Sequence, residues 1–191
     1  MPADPQIVFT SCRLQVRVAG LQDAAFFYHL WNDPRVMYYV GFPHGLGLSL
    51  AQVTCQLERG AGHSVFERNL LVVQARSHTA LGECYLGLPQ GKQVAETDIK
   101  LLPDFWGQGY GTEIKQGMLD YLFTHSDCLV VQATPNRENL ASIRMQEAVG
   151  GVRLGEGVSE IPEGQQADAR PVMYYIYQVS RQTWELRQRD R

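Results

Sequence analysis

Hydrophobic and polar residues alternate strictly in "CRLQVRVAG", with Leu14, Val16 and Val18 set against Arg13, Gln15 and Arg17. A period of two puts the two sets on opposite faces of a strand with one face buried. The period then changes. In "LQDAAFFYHLWNDP", Leu21, Ala24, Tyr28 and Trp31 are spaced three, four and three, one helical stripe that stops before Pro34. Ser49-x-x-Gln52 has the form of a capping box and announces a second helix, with Leu50, Val53 and Leu57 behind it, which frays at "RGAG". The apolar runs "NLLVVQA" and "ALGECYLGL" flank the turn-like "RSHT" and predict a hairpin, and "VAETDIKLL" predicts a further strand after "PQGKQ". A helix with Ile114, Met118 and Leu122 on one face follows, then the short apolar strand "CLVVQAT" and a helix over "NLASIRMQEAVGG" that ends at Gly150-Gly151. The polar loop "EGVSEIPEGQQADAR" is read as mobile. It precedes "VMYYIYQV", a strand with Tyr175 and Tyr177 on one face and Tyr174 on the other. Three consecutive strands exclude pure βαβ alternation. The order predicts an α/β (α+β mixed) fold: a mixed, mostly antiparallel central sheet with helices on both faces, and a parallel pair only where the helix bearing Ile114 crosses over.

Composition adds setting. With 191 residues, 45% hydrophobic and 19% charged, the chain suits one soluble globular domain over 1–191, and it carries no internal repeat or linker. A formal charge of -3 argues against nucleic acid as a partner. No apolar run approaches the ~20 residues of a membrane helix, and "MPADPQIVF" lacks the basic-then-apolar pattern of a signal peptide, so a cytoplasmic protein without a membrane partner is expected. Cys12, Cys55, Cys84 and Cys128 are scattered, with no C-x-x-C pair and no histidine at ligand spacing. Reduced thiols and no metal follow. His29, His44, His63, His78 and His125 likewise show no spacing for a metal or a triad, and are read as surface or packing residues.

The unusual chemistry lies in "FWGQGYGTE", Phe105 to Glu113, where three glycines open a helix. Glycine there costs roughly 0.5–1 kcal/mol relative to alanine, so the backbone must either bend tightly or admit a close neighbour. Gly107, Gly109 and Gly111 follow G-x-G-x-G rather than the G-x-G-x-x-G of a dinucleotide fold. Gly111 is followed by Thr112 and Glu113, not by the Lys-Ser/Thr of a Walker loop. Two readings remain: a turn whose backbone N–H groups, at the positive end of a helix, wrap a phosphate, or a tight turn packed on the sheet. Downstream, Asn139 and Ser142 lie three apart near a helix start, so they either share a face or cap the helix.

Together, "LLPDFWGQGYGTE", a strand, and "PNRENLASIRMQEAVGG" resemble the acyl-CoA-binding half of the GNAT N-acetyltransferases, in the branch similar to the ribosomal-protein N-terminal acetyltransferases RimJ and RimL. The resemblance covers most of the chain. "TSCRLQVRVAGLQDAAFFYHLWNDPRV" looks like that branch's opening strand and helix, and Tyr177 with Trp184 fits its closing strand. It implies a GNAT-like fold and acetyl-CoA as co-substrate, its pyrophosphate held by the backbone N–H groups of Gln108, Gly109, Tyr110, Gly111 and Thr112. It also implies that Asn139 and Ser142 face the pantetheine arm and thiol. Backbone N–H groups near Leu101 or Leu102 would polarise the thioester carbonyl. Glu96 is the candidate base. Asp98 alternates onto the same face, as a rival base or a binder of the substrate's ammonium. Ser142 would donate to the leaving thiolate, or simply contact the coenzyme. The loop "GFPHGLGLS" would border the acceptor groove.

Three departures stand out. Trp106 replaces the general Arg or Gln, Gln146 sits where many relatives carry a tyrosine acid, and Gly150-Gly151 replaces Gly-Phe. The implied activity is transfer of acetyl from acetyl-CoA to a primary amine, either the α-amine of a peptide or protein or a small amine, with a homodimer as a possible assembly. The alternative is a silent acyl-CoA-binding regulatory or sensor module.

Overall fold

The computed structural model describes residues 6–60, 64–88, 91–160 and 169–189. Strands β1 (Ile7–Thr10), β2 (Leu14–Val18), β3 (Asn69–Gln74), β4 (Ala80–Gly87), β5 (Val94–Leu101), β6 (Val130–Ala133), β7 (Val152–Val158) and β8 (Met173–Ser180) form one sheet in the order β1-β2-β3-β4-β5-β6-β8-β7. Only β5 and β6 run parallel. On one face lie helices α1 (Ala24–Asn32), α2 (Pro34–Met37) and α3 (Leu50–Gly60), and on the other α4 (Tyr110–His125), α5 (Leu140–Ala148) and α6 (Arg181–Arg189). The mixed, mostly antiparallel sheet with helices on both faces is the predicted architecture. The parallel pair falls where α4 crosses over, because parallel neighbours need a long connection.

Each face has its own core. Ile114, Met118 and Leu122 of α4 pack with Val16, Leu70, Val72 and Leu86 of the sheet, while Phe27 and Leu30 of α1 and Val53 of α3 pack on Leu71 and Val73. The Ser49–Gln52 capping box forms as read, with Ser49 N–H donating to Gln52 Oε1 at 2.8 Å and Gln52 N–H to Ser49 Oγ at 3.3 Å. Leu50 stays outside at 49% exposure. No helix of the described residues is long and apolar enough to cross a membrane.

Five readings need correction or addition. The buried stripe of α1 is Ala24, Phe27, Leu30 and Trp31, whereas Leu21 is exposed. Asp23 turns the first residues into a 3-10 segment by accepting from Gly20 N–H and pairing with Arg17, which resets the helical phase. Pro34 ends α1 but also opens α2, capped by Asp33. β1 was not predicted. Trp184 lies on α6, not on the closing strand: Ser180 Oγ accepts from Thr183 N–H and starts a helix, and the indole packs on Phe123 with Nε1 donating to Asp120. Finally, Glu156–Val158 belong to β7 rather than to the polar loop. The middle of that loop (161–168), His63, and parts of "RGAG" and "PQGKQ" lie outside the described residues.

Candidate active site

β5 and β6 pair only from Val94↔Val130 to Glu96↔Gln132 and then part. The gap between them is a cleft of about 180 Å³ lined by, among others, Glu96, Asp98, Lys115, Ser142 and Gln146. Because the sheet is open here, side chains from both of its faces border one space. Glu96 and Asp98 come from the face covered by α1 to α3, and Thr97 with Lys115 from the face covered by α4.

The β4–β5 ladder decides which backbone groups can serve this gap. Leu102 N–H donates to Leu81 O at 2.8 Å, so it is spent on β4 and is not an oxyanion donor. In an antiparallel ladder alternate residues direct their polar groups to opposite sides, which turns Leu101 away from β4 and towards the gap. Leu101 O, pointing the same way, accepts from Trp106 Nε1 at 2.8 Å. Trp106 is therefore a half-exposed rim residue fastened to the end of β5.

The glycine segment leaves β5 through a 3-10 turn, Pro103–Phe105, and delivers the chain to α4. Gly107 and Gly109 adopt φ of 71° and 79°, left-handed values that glycine takes without steric cost. Gly109 is the N-cap of α4 and provides no side-chain cap. The first N–H groups of a 16-residue helix thus remain open to a ligand at its positive end. Gly111 differs, keeping a helical backbone angle, and a Cβ there would stand 3.1 Å from Met145 Sδ of α5, so that side chain would have to give way slightly.

Arg13 and Glu113, not singled out from the sequence, brace this turn. Arg13 donates to Glu113 Oε2 at 2.6 Å and to Gln108 O at 3.1 Å, with its guanidinium over the Tyr110 ring at 4.3 Å, and Ser11 Oγ donates to Glu113 Oε1 at 2.6 Å. Burial acts to raise the Glu113 carboxyl, but the hydrogen bonds from Ser11 and Arg13 and the Arg13 charge outweigh it and hold it low.

The two β5 carboxylates differ in their company. Asp98 is clamped by Lys100 and accepts from Ile99 N–H at 2.9 Å. Lys100 in turn reaches buried Glu83 at 3.1 Å, whose carboxylate also accepts from Trp31 Nε1 at 2.8 Å and Asn69 Nδ2 at 3.1 Å. Desolvation pushes the Asp98 carboxyl up, and the Lys100 charge and hydrogen bond more than reverse it, so Asp98 is held below the usual carboxylate range. A carboxylate so stabilised in its ionised form makes a poor base. Among the described residues nothing clamps Glu96 in this way, and it faces the gap.

On α5, Asn139 Oδ1 accepts from Ser142 N–H at 3.1 Å, so Asn139 caps the helix and its carboxamide oxygen is committed there. Ser142 borders the gap, as does Gln146, buried one turn later. The Gly150-Gly151 ending has a steric reason. Gly151 N–H donates to Gln146 O at 2.8 Å, and a Cβ on Gly151 would come within 2.7 Å of that oxygen.

Lys115 was also missed. It is 1% exposed, with Nζ donating to Thr97 Oγ1 at 2.5 Å. One signal was available: Lys115, Leu119 and Leu122 are spaced four and three, which puts a lone charge in an apolar stripe.

The sequence model of the family described as "Acetyltransferase (GNAT) domain" matches residues 13–152. An uncharacterised N-acetyltransferase, p20 of Bacillus licheniformis, is 24% identical over 144 residues, 75% of this chain and 81% of that protein. Among solved structures, an acetyltransferase (GNAT family) from Bacillus anthracis superposes with a TM-score of 0.75 at 22% identity, covering 93% of this chain and 99% of that one. The spermidine N-acetyltransferase of Vibrio cholerae, solved with CoA and spermine, gives 0.77 at 20% identity, covering 92% and 99%. With its one parallel pair parted beside a glycine-opened helix, the chain belongs to the GNAT acetyltransferase family and transfers acetyl from acetyl-CoA.

Proposed function

We propose that the protein acetylates the α-amine of a peptide or peptide-like acceptor, as in the RimJ/RimL-like branch, within a single catalytic domain. The observation that carries the coenzyme placement is the uncapped N-terminus of α4 beside the parted strands. Backbone N–H groups from Gln108 to Thr112 suit a diphosphate, which needs several converging donors and no Cβ in the way. Leu101 N–H, turned away from β4, polarises the thioester carbonyl in this reading. Glu96 takes the proton of the attacking amine as the C–N bond forms, and Ser142 contacts the coenzyme arm.

Charge favours an α-amine acceptor. An α-amine has a pKa of ~7.7–8, so one ordinary carboxylate suffices to deprotonate it. Lys100 already compensates Asp98, and the neighbouring surface cleft carries Arg137 and Arg170 against Glu138. Among the described residues lining the gap, that leaves Glu96 as the main attractor for a cation, which suits one ammonium better than a polycation. A polyamine acceptor is the second reading, favoured by the fold shared with the Vibrio cholerae enzyme.

The test compares short peptides with free and blocked N-termini against spermidine and aminoglycosides at matched concentration, reading thiol release from acetyl-CoA. Free-N-terminus peptides should react fastest. Faster release with spermidine than with any peptide would overturn the acceptor assignment.

A further inference from the structure

Lys115 is a costly residue for its position. Among the described residues no carboxylate forms an ion pair with it, and its one hydrogen-bond partner is Thr97 Oγ1, which itself donates to Gln132 O at 3.2 Å. A buried ammonium without a counterion is among the most expensive groups a core can hold. Packing alone would be served better by leucine or methionine, as Leu119 and Leu122 serve it on the same stripe. Lys115 lines the gap between β5 and β6, its Nζ held by Thr97 of the same lining, where Ser142 and Gln146 approach from α5.

We propose that Lys115, rather than Ser142, delivers the proton to the departing coenzyme thiolate, an inference that rests on the acetyl-transfer site described above. As the amine nitrogen bonds to the acetyl carbon and loses its proton to Glu96, the C–S bond breaks and its electron pair leaves on sulfur. An Nζ proton moves to that sulfur, yielding the free thiol and a neutral lysine. Glu96 then releases its proton to water, and Lys115 regains one from water.

The acidity suits the step. Burial lowers Lys115 from its usual range to about 7, with Asp98 pulling the other way. The thiolate, whose conjugate thiol has pKa ~8.5, is the stronger base of the pair, so the transfer runs downhill. The titratable groups facing the gap are Glu96 and Asp98 from β5 and Tyr85 from β4, whereas β6 and α5 contribute neutral Gln132, Ser142 and Gln146. The donating form is the charged one, populated below about pH 7.

The test measures turnover of the full chain and of Lys115→Met from about pH 6 to pH 9 with one amine. Taking the ratio at each pH cancels ionisation of that amine. Wild type should exceed Lys115→Met by about 10²-fold at the acid end, a typical contribution of general acid catalysis, and the ratio should shrink towards one at the alkaline end. The affinity for acetyl-CoA should change less than threefold, and the melting temperature should not fall. If wild type turns over and Lys115→Met matches it at every pH, the Lys115 assignment is wrong and the site stands. A wild type that releases no thiol with any amine overturns the site itself, and this proposal with it.

Discussion

Glu96 and Asp98 stand two residues apart on one strand, yet their neighbours give them different roles. Glu96 faces the gap without a clamp, so it acts on the amine; Asp98, pinned to Lys100, acts on the electrostatics around Lys115. Glu96→Gln should lower kcat/KM by about 10²-fold across the profile without moving its limbs, because the proton Glu96 takes as the C–N bond forms must leave even when the amine arrives neutral. Asp98→Asn should instead move the alkaline limb of the profile to lower pH, because the carboxylate that favours the Lys115 ammonium is gone. Indistinguishable pH profiles for the two variants would contradict this division. The shared face of the two carboxylates was legible as a period of two. Their inequality was not, since it depends on the register that sets Lys100 opposite Glu83. Lys115 was half legible: its spacing is in the sequence, but burial without a direct ion pair among the described residues is a tertiary fact.

At the scale of elements, the start of α4 is the part of the site that sequence described best. Two of its three glycines take left-handed φ, and the third faces Met145. Gly111→Val keeps a helical backbone angle and asks only that a flexible methionine shift, so the fold should survive with a small loss of melting temperature. Branched methyls should weaken acetyl-CoA binding at least tenfold by standing where the diphosphate approaches. Unchanged calorimetric affinity in that variant would move the coenzyme elsewhere. The elements that escaped prediction share a cause. β1 is four residues long, and α6 has a charged composition with no buried side chain of its own. Neither carries enough local pattern to announce itself, and tertiary contacts such as Trp184 on Phe123 hold them in place. The face of α1 was misread because consecutive aromatics let two adjacent stripes fit equally well, and only the Asp23 turn decides between them.

For the whole molecule, stability sums every shifted group, and their windows separate. Asp33, Asp98 and Glu113 are lowered, so their contributions are present at neutral pH and are lost only as pH falls through the acid range. Cys84, Tyr85, Tyr177 and Lys100 are raised, so theirs are complete below the unfolded values and are lost only at alkaline pH, from about 9 upwards. Lys115 runs opposite to the usual lysine. Its folded value is near 7 and its ordinary value 10.5, so in between the unfolded chain binds a proton that the folded chain does not. Stability must therefore rise with pH across that interval, and between about pH 7.5 and 8.5 Lys115 is the one shifted group among the described residues that acts. One proton of difference corresponds to about 1.4 kcal/mol per pH unit. Urea unfolding of the wild type should show this rise at constant m-value, and Lys115→Met should be more stable at neutral pH and flat over the same window. A flat wild-type curve, or an equal slope in Lys115→Met, would show that the buried lysine keeps its proton through neutral pH.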